Sequence, residues 1–191
     1  MRLPTPRMSL AAVLFLALGA AACLAQPVPG TVTITYTLHR IPRIASNQLA
    51  VWIEDSEGRF VRTLFATDFM ARRQGFRKRP QVCPEWVKAA RPDRLSPAEI
   101  DAVSGATQKP GWISLTWVCT SADGALVAPG VYLYKVEGNI YYEKRVLWSG
   151  RILIGASPSD SVAAPAYLPD ASAVEEGRLV ENVSARFQPG N

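Results

Sequence analysis

The sequence predicts an all-β protein, an immunoglobulin-like antiparallel β-sandwich interrupted by a short helical insert. Three observations carry that prediction. Residues 31–38 alternate strictly, with Thr31, Thr33, Thr35 and Thr37 on one side and Val32, Ile34, Tyr36 and Leu38 on the other. That is the period of a half-buried strand. Turn signals such as Asp55-Ser56-Glu57-Gly58 and Ser121-Ala122-Asp123-Gly124 then separate further short apolar segments, which gives seven or so strands, the count and spacing of a sandwich. Only residues 68–110 abandon the alternation and carry helix signals.

The chain has 191 residues, 48% of them hydrophobic and 19% charged, enough for one domain with a real core and too apolar for a disordered chain. Residues 1–25 read as a secretory signal peptide. Arg2 and Arg7 form its charged region, residues 10–22 its apolar region, and Cys23-Leu24-Ala25 offers small residues before a mature start at Gln26. The apolar region is too short to span a membrane. Cys23 raises lipidation as a rival, but Ala20 stands where lipoprotein signals usually carry Leu; the reading taken is a soluble protein exported to the periplasm. Residues 26–191 then form a single sandwich domain. Without Arg2 and Arg7 the formal charge falls from +5 to +3, which gives no reason to expect a nucleic-acid partner.

In order, residues 31–38 form the first strand, 48–54 the second and 59–67 the third, the last two joined as a hairpin through Gly58. The insert begins with the basic run Arg72-Arg73-Gln74-Gly75-Phe76-Arg77-Lys78-Arg79, either a solvated loop or a cationic patch for a phosphate or an acidic partner. A short helix is expected over 85–90, with Trp86 anchoring the insert to the sandwich. Ser96-Pro97-Ala98-Glu99 is a capping box with Pro at the first helical position, so a second helix should run over 97–103. Gly105 should end it in the left-handed conformation, leaving Thr107 on an exit loop before Pro110. Strands follow over 111–119, 131–137 and 143–155, the last broken at Ser149-Gly150. Residues 156–177, rich in Ala, Ser and Pro, read as a loop or an extended cover, and 178–187 as a final edge strand. Asn182-Val183-Ser184 matches a glycosylation acceptor by chance, since the signal is of bacterial type.

Cys83 and Cys119 remain after cleavage, and in an oxidising compartment they are candidates for a disulfide. His39 is the only His, and no Cys-x-x-Cys pair exists, which argues against zinc, haem and His-dependent catalytic dyads. The acids Asp55, Glu57, Asp93, Glu99 and Asp101 show no paired spacing beyond turn and cap positions.

The stretch Asp101-Ala102-Val103-Ser104-Gly105-Ala106-Thr107 resembles the flavinylation motif of proteins carrying covalent FMN: Asp, two variable residues, Ser or Thr, Gly, Ala and the acceptor Thr. The resemblance implies that an FMN:protein flavin transferase joins FMN through its phosphate to Thr107, using FAD and releasing AMP. Asp101, Ser104, Gly105 and Ala106 become its recognition residues. Trp117, the Asp123-Gly124 turn, Pro129-Gly130 and Val131-Tyr132 also resemble the Ig-like repeat of flagellar hook-capping proteins, with Val118-Cys119 where that repeat has Asp-Gly. This likeness speaks only to fold. More broadly, Ala50-Val51-Trp52-Ile53-Glu54-Asp55, Gly58, Val61-Arg62-Thr63-Leu64, Trp86, the motif, Pro110-Gly111, Trp117, Gly130 with Tyr132, and Val136-Glu137 recur in the order of a bacterial periplasmic family of unknown function. That family is similar to flavinylated carriers and accompanies membrane flavoreductases with PepSY-type domains. The resemblance implies an electron carrier, with Trp86 or Trp112 either stacking on the flavin or packing in the core. The alternative is a cofactor-free periplasmic module for binding or assembly.

Overall fold

The computed structural model describes residues 30–44 and 47–190. The signal-peptide and Cys23 readings lie outside them. The chain forms two packed sheets and an outer helical layer. Strands β1 (Gly30–Leu38), β5 (Gly111–Trp117), β8 (Ser159–Val162) and β10 (Val180–Pro189) build a four-stranded sheet in the order β5-β1-β10-β8. Strands β2 (Gln48–Asp55), β3 (Phe60–Thr67), β4 (Ser104–Gly105), β6 (Gly130–Tyr141), β7 (Lys144–Ile154) and β9 (Ala164–Leu168) build a six-stranded sheet in the order β4-β3-β2-β6-β7-β9. Every pairing between these strands is antiparallel except β3 with β4.

The alternation in β1 does what it promises: Val32, Ile34, Tyr36 and Leu38 are all buried between the sheets. In β2 both faces are buried. Leu49, Val51 and Ile53 join the core between the sheets, while Ala50 and Trp52 join a second core with Met70, Phe76, Val82 and Trp86. The insert builds that second core through α1 (Gly75–Lys78), α2 (Pro84–Ala90) and α3 (Pro97–Val103). A continuous apolar strand of this kind is the mark of burial on both sides. Trp86 anchors the insert as expected. It is fully buried, and its indole N–H donates to Thr63 Oγ1 at 3.0 Å. Trp117 belongs to the inter-sheet core, edge-on to Tyr132.

Four expectations need correction. Of the two readings of residues 156–177 the loop is the one that falls, because β8 and β9 edge the two sheets in turn and the chain crosses between them at buried Ala163. Their small, polar residues leave no periodicity to read. Strand β10 lies inside its sheet, between β1 and β8. β7 runs unbroken through Gly150, which is present because a Cβ there would stand 2.1 Å from the ring of Tyr134, its cross-strand partner. Finally, Cys83 and Cys119 are free thiols in different cores, Cys83 under the helices with Trp52 and Cys119 between the sheets with Ile53. The six-stranded sheet lies between them, so no bridge can form. Burial pushes the Cys119 thiol up to about 11 and raises the Cys83 thiol well above its ordinary value, so neither is a reactive thiolate near neutrality. Native protein is expected to leave both thiols unlabelled by a thiol reagent and to yield both on denaturation without reductant. Loss of both thiols from denatured, unreduced protein would contradict this placement.

Candidate functional site

Helix α3 is built as its sequence dictates. Glu99 N–H donates to Ser96 Oγ at 3.3 Å, and Ser96 N–H donates to the Glu99 carboxylate at 2.8 Å. The Ser96 hydroxyl bond and then its backbone bond hold the Glu99 carboxyl below its ordinary range. The helix stops at Val103, where Ser104 turns to an extended conformation. Ser104 and Gly105 then pair in parallel with Ala66 and Thr67, and Gly105 O accepts the Asp68 N–H at 2.8 Å. Gly105 is therefore not the left-handed cap that the sequence suggested. Its reason is contact: a Cβ at 105 would lie 2.6 Å from the Phe65 ring.

Ala106 and Thr107 emerge from this pairing as exposed residues. Immediately afterwards, Gln108 Oε1 accepts the hydroxyl of buried Tyr36 at 2.6 Å. Burial raises the Tyr36 phenol far above its ordinary range, so it is a constant donor. The Thr107 loop is thus tied to β3 on one side and to the sandwich core on the other, with the Thr107 hydroxyl left in solvent between two fixed points.

The structure brings the motif residues together. Asp101 is exposed and pairs with Arg72, Nε to Oδ1 at 3.0 Å, while Arg72 and Arg73 also reach Asp68 at 3.6 and 2.7 Å. The Ser104 hydroxyl lies 3.5 Å from Asp101 O. The basic run is therefore partly spent on holding Asp101 and Asp68, and Arg77 and Arg79 lie over the rings of Phe76 and Phe69. The cations that share a cleft with Thr107 are others, Arg40 and Lys109.

That cleft, about 380 Å³, opens at one end of the sandwich. Leu38 and Leu179 wall it from the four-stranded side and Leu49 and Phe65 from the six-stranded side, with Thr67 and Asn47 between. Thr107 and Gln108 form part of its mouth. Among the described residues Arg40 and Lys109 make no ion pair, whereas His39, also at the mouth, contacts Glu181 at 2.8 Å. Neither tryptophan considered for flavin stacking lines this cleft. Trp86 is sealed under the insert, and Trp112 is 67% exposed on β5, opposite Thr37. Sequence reasoning missed Tyr36, Phe65 and Gln108. Only the inward phase of Tyr36 in the first strand hinted at a buried hydroxyl in need of a partner.

A second polar group bears on the insert. Glu137 of β6 is fully buried and accepts the N–H groups of Trp86 at 3.0 Å and Glu85 at 3.4 Å, at the start of α2. Arg145 Nε lies 3.2 Å from it, out of line for a hydrogen bond. Burial outweighs these partners and raises the carboxyl from 4.5 to about 7. The folded state then holds this proton more tightly than the unfolded chain does. Its contribution favours folding below pH 4.5 and is lost as the pH rises to about 7. Urea unfolding is expected to show wild type losing on the order of 3 kcal/mol relative to Glu137→Gln between pH 4.5 and 8. Parallel pH profiles for the two proteins would contradict this.

The β-sandwich and its outer helical layer thus place an exposed hydroxyl, on a doubly tied loop, at the mouth of a cleft. The chain belongs to the family described as "Predicted periplasmic protein (DUF2271)", whose model matches residues 31–167. The match spans β1 to β9 and ends before β10, although that strand is internal to its sheet. No curated protein and no solved structure matches the chain.

Proposed function

We propose that this protein is a periplasmic electron carrier with FMN attached through its phosphate to Thr107. The observation that supports this most is the doubly tied loop, which presents the acceptor hydroxyl of a complete Asp-x-x-Ser-Gly-Ala-Thr motif in solvent. In the transfer, Thr107 Oγ attacks the FMN-side phosphorus of FAD. The pyrophosphate P–O bond breaks, AMP departs, and the hydroxyl proton passes to a base of the flavin transferase. Asp101, set on the exposed last turn of α3 by Arg72, is the handle that the transferase recognises. Ser104 and Gly105 fix the loop on the sheet edge, and Ala106 leaves room beside the hydroxyl. Once bound, the flavin supplies reversible electron transfer, and the protein makes and breaks no other bond.

The residues present fit such a group. The acceptor is free of hydrogen bonds to other described side chains, and Arg40 and Lys109 stand at the same cleft to meet a phosphodiester anion. Its electrons would pass between a membrane flavoreductase with PepSY-type domains and a periplasmic acceptor. Co-expression with a flavin transferase is expected to give a yellow protein whose band fluoresces in a denaturing gel. Asp101→Ala should weaken that band through poorer recognition, and Thr107→Ser should keep part of it. A colourless protein from cells in which the transferase labels another substrate would argue against the proposal.

A further inference from the structure

We propose that the cleft beside Thr107 is the seat of the flavin's isoalloxazine ring, with Phe65 as the aromatic wall against which it lies. This rests on the FMN reading above. Thr107 is itself part of the cleft mouth, so a group tethered to its hydroxyl reaches the cleft without any chain movement. The volume, about 380 Å³, lies within the ~300–1,000 Å³ of small-molecule sites, which are typically apolar with a few placed polar groups. Leucines from both sheets supply the apolar walls for the hydrocarbon end of the tricycle, and Gln108, whose Oε1 accepts from Tyr36, offers its amide NH2 to a ring carbonyl.

The motif and the cleft share one contact. Because residue 105 lacks a Cβ, the Phe65 ring lies against the motif backbone and still faces the cleft; any side chain at 105 would displace it. The glycine thus shapes the wall of the binding site as well as the loop. Arg40 and Lys109 at the same mouth, without ion pairs among the described residues, complement the negative charge that the linkage brings.

The test uses the full chain exported by a host with a flavin transferase, with intact mass to show whether FMN is attached. In the labelled protein, acrylamide should lose most of the quenching it exerts on free FMN. His39→Trp, at the exposed mouth, should keep the FMN mass increment and quench the flavin's fluorescence by electron transfer from the indole. Leu49→Trp, which fills the cleft, should keep the FMN mass increment and restore acrylamide quenching to that of free FMN, provided circular dichroism shows the fold retained. A labelled protein whose flavin is quenched like free FMN, or is unaffected by His39→Trp, overturns the cleft assignment and leaves the attachment standing. If no label is found, the attachment falls, and riboflavin titrated into the unlabelled chain decides the cleft separately. Saturable binding that persists with quenched fluorescence in His39→Trp and is lost in Leu49→Trp supports it, and the absence of saturable binding overturns it.

Discussion

Thr107→Ala, exported from cells that contain a flavin transferase, is expected to carry no covalent flavin and to unfold within about 0.5 kcal/mol of the parent. The two halves of this result have separate causes. Label is lost because the substitution removes the exposed hydroxyl to which the proposal attaches the phosphoester, while the Ser104 hydroxyl lies on the paired segment beside Asp101 O. Stability is kept because the side chain is exposed and makes no hydrogen bond with other described residues, while its neighbours hold the loop through Gly105 and Gln108. In-gel fluorescence and urea unfolding read the two halves independently. Covalent flavin on the Ala variant would remove Thr107 as the acceptor. A large loss of stability would show that the loop depends on this hydroxyl after all.

Trp86→Ala is expected to cost about 3–5 kcal/mol, the range for removing a large buried aromatic side chain. The indole is fully buried and fills the second core beneath the insert. Its removal leaves a cavity against Trp52 and Ala50 and strips Thr63 Oγ1 of its indole donor. Because the helices owe their place to this core, the loss should fall on the insert first. Limited proteolysis should cut within residues 68–110 before it cuts the strands. Trp86→Phe should cost less, since most of the volume remains and the Thr63 bond is the main loss, about 1–2 kcal/mol. Equal protease resistance in Trp86→Ala and the parent would mean that the insert is held by something other than this anchor.

The sandwich was legible because its central strands carry their burial in local pattern. β1 alternates without a break, and β2 holds a run of apolar residues between clear turns. The capping box at Ser96 and Glu99 fixed the start of α3 in the same local way. What was not legible depends on partners distant in sequence. Gly105 and Gly150 look like a cap and a break, yet each exists to admit a ring, Phe65 in one case and Tyr134 in the other. The alternation of β10 is interrupted at Asn182, whose φ of 55° accompanies a slip in the pairing with β1 between Thr35 and Thr37. Which strands flank β10 is set by β1 and β8, both distant in sequence. The two cysteines looked like a pair because nothing local says which face of a sheet each one meets.

At the candidate site the division is the same. The motif from Asp101 to Thr107 could be read directly, since its residues are contiguous. The basic run read as either a solvated loop or a cationic patch, and its arginines are drawn to Asp68, Asp101 and nearby aromatic rings. The cations beside Thr107, Arg40 and Lys109, come from separate parts of the chain. The pairing of β1 with β5, which sets Leu38 opposite Gly111, brings them together, and the same pairing brings Tyr36 near Gln108.

The central claim is tested most directly by peptide mass analysis of the wild-type protein, exported from a host whose flavin transferase labels a known substrate. The account predicts one FMN on the peptide containing Thr107, joined through its phosphate and located to that residue by fragmentation. A Thr107 peptide recovered wholly unmodified, or FMN found on a different residue, would contradict it.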